Sequence, residues 1–113
     1  MQTSGGLTRK DADGSLAKWF MIQGQLGQDF GGVLICSNSA NFNQPEPLRI
    51  WPETMYERGD IFAMFAPTKN TDWLLEPGKV YTLRYRFLIF NNRLSAQDAE
   101  KAWIEYSQQS IEE

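Results

Sequence analysis

Tyr81-Thr82-Leu83-Arg84-Tyr85-Arg86-Phe87-Leu88-Ile89-Phe90-Asn91 is the stretch that decides the fold. Taken every second residue, Tyr81, Leu83, Tyr85, Phe87 and Ile89 make one unbroken apolar row. Thr82, Arg84 and Arg86 fill the other row until Leu88 and Phe90 turn it apolar again. Successive side chains of a strand point to opposite faces, so this period of two predicts a long, half-buried strand over 79–91. Arg84 and Arg86 then project from one side with Cα atoms about 6.5–7 Å apart. A solvated polar face accounts for that pair, and so does a reach toward the acids of segment 46–60.

The neighbouring segments support the same class. Glu76-Pro77-Gly78-Lys79 places proline and glycine at the central positions of a type II turn. Residues 17–23, 32–37 and 48–51 have strand character, residues 25–30 turn the chain, and Gly24, Gly27, Gly31 and Gly32 punctuate turns. Residues 61–66 are apolar on both parities, as in a strand covered on both faces. After residue 92 the period changes. Ser95 can cap a helix with Asp98 reaching back, and Ala99, Ala102, Trp103 and Tyr106 form one stripe. The expected architecture is mainly β: an antiparallel β-sandwich of five or six strands with one C-terminal α-helix. It divides into a flexible lead-in (1–15), the sandwich strands (16–92), and a helix and fraying tail (93–113).

Candidate site residues concentrate between these strands. Pro45-Glu46-Pro47-Leu48-Arg49-Ile50-Trp51-Pro52 is stiffened by its prolines, which hold φ and press the preceding residue toward extended geometry. Arg49 and Trp51 therefore share one side of an extended segment. Glu53 and Asp60 follow close behind. An arginine and a tryptophan on one face with acids nearby suit a sugar-like polar ligand, and equally a structural ion pair under an aromatic lid. The ligand-binding candidates are Glu46, Arg49, Trp51, Glu53, Asp60, Arg84 and Arg86. Arg49 is expected to share a polar site with at least one of those acids and with Arg84 or Arg86, because pairing limits the cost of desolvating charge.

Composition narrows the function classes. A 113-residue chain is one domain or part of one, and its net charge of −3 argues against a nucleic-acid partner. No apolar run approaches the ~18 residues of a membrane span. The sequence contains no histidine, which removes Ser-His-Asp and Cys-His catalysis and the commonest transition-metal ligand. Asp11-Ala12-Asp13-Gly14 lacks the rest of a calcium loop and reads as a solvated turn. No metal and no cofactor are expected. Cys36, the single cysteine, lies in Val33-Leu34-Ile35-Cys36 and reads as a small buried hydrophobe.

From about Lys10 to Tyr106 the chain resembles the C-terminal part of the PmoA-like bacterial family, several members of which are labelled methane oxygenase. The resemblance runs through Lys18-Trp19-Phe20, Gly32-Val33-Leu34-Ile35, and Asn41-Phe42-Asn43-Gln44-Pro45 with its continuation to Pro52. It continues through Arg58-Gly59-Asp60, Trp73-Leu74-Leu75-Glu76-Pro77-Gly78-Lys79, Tyr81-Thr82-Leu83-Arg84-Tyr85-Arg86 and the helix bearing Trp103. It implies part of a large supersandwich similar to galactose mutarotases, a carbohydrate-related context, a periplasmic or secreted location, and a missing N-terminal half. The chain departs from the family at Asn38 and Gln44, where relatives often carry histidines. The methane label does not fit, since a membrane copper oxygenase needs spanning helices and metal ligands.

Two functional classes stand open. In one, the chain is a non-catalytic sugar-binding or structural sandwich, with Trp51, Tyr56 or Trp73 stacking on sugar rings and Glu46, Arg49 and Asp60 bonding hydroxyls. In the other it is part of a glycoside-processing enzyme using two carboxylates of segment 46–60. The doubly apolar strand 61–66 further predicts an unpaired edge or bare apolar face, covered by a missing N-terminal half or a second copy.

Overall fold

The computed structural model describes residues 1–51 and 61–108. Seven strands and one helix occur among them: β1 (Gln2–Thr3), β2 (Leu16–Ala17), β3 (Trp19–Leu26), β4 (Asp29–Ser37), β5 (Glu46–Ile50), β6 (Ala63–Phe65), β7 (Tyr85–Asn91) and α1 (Ala96–Ser107). They form two antiparallel sheets, one in the order β1-β3-β4-β7 and the other β2-β5-β6. The chain is thus a β-sandwich with a C-terminal helix, and two of its strands are only two residues long.

The large sheet is apolar on both faces, and each face has its own core. Trp19, Met21, Leu34 and Cys36 pack against Ala99 and Tyr106 of α1. On the reverse side, Phe20 meets Ala12, Ala17, Leu48 and Ile50 of the second layer. Odd residues of β3 therefore face the helix and even ones the small sheet, as strand alternation requires. The helix starts where its sequence signal stands: Ser95 Oγ accepts the Asp98 N–H at 3.1 Å, and the stripe from Ala99 to Tyr106 faces the sheet.

Several expectations need correction. The turn expected over 25–30 is confined to Gly27 and Gln28, because Leu26 pairs with Asp29 and Gln25 with Phe30. Gly27 has φ +64°, the conformation a two-residue hairpin loop demands. Gly24, Gly31 and Gly32 are ladder residues, not turn residues. At Gly32 a Cβ would collide with the Ile22 carbonyl oxygen and lie 2.6 Å from Gln23 Cα, so only glycine allows this approach. The lead-in 1–15 is tied down: Gln2 and Thr3 pair with β3, Thr3 and Ala12 are buried, and Gly14 N–H donates to Leu48 O at 2.8 Å.

The deciding strand is shorter than its pattern. The Glu76–Lys79 turn is present, with Gly78 at φ +82°, but pairing begins only at Tyr85. The sole ladder partner of β7 among the described residues is β4, which ends at Ser37 opposite Tyr85. Among the described residues, 79–84 therefore have no strand to pair with. Trp73 holds this loop instead, stacked on Phe42 at 4.5 Å and edge-on to Tyr81 at 5.6 Å. The expected burial of the β7 row also fails: Phe87 and Ile89 are 64% and 76% exposed. Strand β6 is likewise covered on one face only, with Met64 exposed on the other.

Candidate functional site

Among the described residues the shared charged site expected from sequence is not assembled, and strand parity explains why for Glu46. Glu46 has the parity of Leu48 and Ile50, which point into the core, whereas Arg49 points outward opposite Met64. Glu46 is completely buried. Its carboxylate accepts hydrogen bonds from Ser37 Oγ, from Asn41 Nδ2 at 3.0 Å and from Tyr85 OH at 2.7 Å. All three donors are neutral. Arg84 contributes its backbone to this cluster, accepting from Asn41 Nδ2 at 2.9 Å and donating its N–H to Asn41 Oδ1 at 2.8 Å. Arg86 faces the helix side, its guanidinium 4.8 Å from the Tyr106 ring. Glu53, Asp60 and Tyr56 lie outside the described residues.

Burial and chemistry make the interior cluster a clamp between layers. Burial first, then the hydrogen bond to Glu46 and its negative charge, push the Tyr85 phenol well above its ordinary range. A phenol held that way is neither base nor nucleophile near neutral pH. Cys36 is similarly inert: burial pushes its thiol up to about 11, outweighing the opposing Arg86 charge. Among the described residues no group of three or more metal-ligating side chains converges. No helix there is long and apolar enough to cross a membrane.

Arg49 and Trp51 do open onto one surface, a cleft of about 550 Å³ on the outer side of the small sheet. Three segments build it. Arg9, Lys10 and Asp13 come from the turn after β1, Arg49, Ile50 and Trp51 from the end of β5, and Lys69 from the turn after β6. Asp13 positions the first two segments, since its Oδ1 accepts the Ile50 N–H at 2.8 Å. Arg9 Nε donates to Trp51 O at 3.2 Å, and Lys69 Nζ lies 3.5 Å from Asp13 Oδ1. The Trp51 indole is stacked on Phe62 with centroids 4.6 Å apart. Trp73, offered above as a second stacking platform, is engaged by Phe42 and Tyr81.

Sequence reasoning therefore paired Arg49 with Trp51 but missed Arg9, Lys10, Asp13 and Lys69. The Asp11-to-Gly14 turn was the available signal, since an aspartate before glycine often bonds a neighbouring backbone N–H. A model of a family of unknown function (DUF6807) matches residues 1–104. The chain belongs to that family. No curated protein and no solved structure matches it. DUF6807 carries no stated activity, so the Arg49–Trp51 cleft of this member has to be interpreted from its own chemistry.

Proposed function

We propose that this DUF6807 chain is a non-catalytic, carbohydrate-related β-sandwich that binds sugar through the Arg49–Trp51 cleft. The carrying observation is the convergence of several N–H donors on a concave surface whose described lining also includes the half-buried indole of Trp51. Sugar sites combine those two elements, donors for hydroxyls and an apolar wall for the ring's C–H face. The resemblance to PmoA-like proteins supports the same context and is itself part of the proposal. Calorimetric titration with a panel of neutral and acidic oligosaccharides tests it. Binding that Arg49→Ala weakens at least tenfold is expected; heat from no member of the panel would remove the reading.

A second, structural role is favoured by one specific observation. The face of β7 that carries Phe87 and Ile89 is bare, and its outer edge has no ladder partner among the described residues. We propose that a second copy or another chain segment covers it, as unpaired apolar edges invite association.

A further inference from the structure

We infer that the ligand of this cleft is an acidic sugar, a uronate whose carboxylate is held by Lys10 and Arg49; this rests on the sugar-binding reading above. The chain as a whole is acidic, with net charge −3. The described lining of the cleft has the opposite balance, four cations (Arg9, Lys10, Arg49 and Lys69) against the single carboxylate of Asp13. That carboxylate is already committed, accepting the Ile50 N–H at 2.8 Å and standing 3.5 Å from Lys69. Arg9 is also engaged, through the Trp51 carbonyl. Lys10 and Arg49 thus add positive charge that Asp13 is not positioned to balance.

A concave surface lined by one sign of charge focuses the field and raises the local concentration of opposite ions. The guanidinium fork of Arg49 matches a carboxylate with two parallel hydrogen bonds, a geometry a neutral hydroxyl cannot use fully. The half-buried Trp51 indole gives the same cleft an apolar surface, which a bare inorganic anion would leave unused. Charge and apolar surface together select a ring that bears an acid.

The test compares four probes on the full chain: oligosaccharides of galacturonate, glucuronate, mannuronate and guluronate, their neutral methyl esters, inorganic phosphate and inorganic sulfate. At low ionic strength, at least one uronate is expected to bind ten or more times tighter than its ester, with affinity falling as salt rises. Arg49→Ala and Lys10→Ala should each remove most of that preference, while Arg93→Ala, on a cation stacked over Phe30, should not. Circular dichroism of each variant separates lost binding from lost fold. If esters and uronates bind alike, the acidic-sugar inference fails while the sugar reading survives. If phosphate or sulfate matches the best uronate, the cleft is a simple anion site and the inference is overturned. If nothing binds, both readings fall.

Discussion

Phe20, Ile35 and Phe87 stand in one row across β3, β4 and β7, on the same face of the same sheet. Phe20 is 1% exposed and Phe87 64%. The other face shows the same gradient, from Met21 and Leu34, both buried, to Leu88 at 40%. The chemistry of the row does not change along it; the cover does. Phe65 of β6 reaches Phe20 at 5.1 Å and Tyr85 at 5.4 Å, but no described strand of the small sheet lies over Phe87 and Ile89. Alternation in a sequence records which face is apolar. It does not record whether the same chain supplies the layer that covers it.

The most direct way to break this comparison is to truncate both ends of the row. Phe20→Ala should cost about 3–5 kcal/mol, the range for removing a packed aromatic. Phe87→Ala should cost less than ~1 kcal/mol in a monomer, as most of that ring is already in water. Urea unfolding of the two variants at low concentration measures the difference, and equal losses would mean that the β7 end is covered after all. Next in size is the clamp at the closed end. Glu46→Leu leaves the Ser37 and Tyr85 hydroxyls without their acceptor and should cost roughly 1–3 kcal/mol, read from the same unfolding curves.

The bare end makes its own prediction in solution. Sedimentation velocity at micromolar concentration should show self-association that Ile89→Lys reduces, because a charge on an exposed edge opposes pairing. A wild-type monomer at every concentration would show that the exposed row needs no partner. The smallest effect belongs to the helix side. Burial alone would raise the Glu100 carboxyl, but hydrogen bonds from Lys18 and Trp19 and the Lys18 charge hold it below its usual value. Its stabilising contribution is therefore present above the unfolded carboxyl's pKa and lost as pH falls through the lower, folded value. The pair is about a third exposed, so the expected loss is well under ~1 kcal/mol. Glu100→Gln should flatten the acid limb of a stability-versus-pH curve; an unchanged limb would assign it to other carboxylates.

Local signals were legible where the chain supplies both partners. The Ser95 cap, the Gly78 turn and the helix stripe need only near neighbours in sequence, and each stands as expected. Residues 79–84 failed because their pairing depended on where β4 stops, more than forty positions away in sequence. At the site, Arg49 and Trp51 were legible because an extended segment keeps residues two apart on one side. Lys10 and Lys69 were not, since they reach the cleft only through the folding of distant turns. Glu46 was misread although its clue was present: it shares the parity of Leu48 and Ile50, so an outward-facing role conflicted with the buried row beside it.

Ser37 closes the molecule in a further sense. Its N–H donates to Lys18 O, its carbonyl accepts the Trp103 indole N–H at 2.7 Å, and its hydroxyl donates to Glu46. One residue thus touches helix, large sheet and small sheet at once. Peeling the helix away strands a buried carbonyl, and parting the sheets strands a buried carboxylate, so neither layer has an inexpensive way to open alone. In deuterium exchange the amides around Ser37 should behave as one unit that opens only with the whole fold, while the amides of β7 toward Asn91 exchange through smaller, local fluctuations.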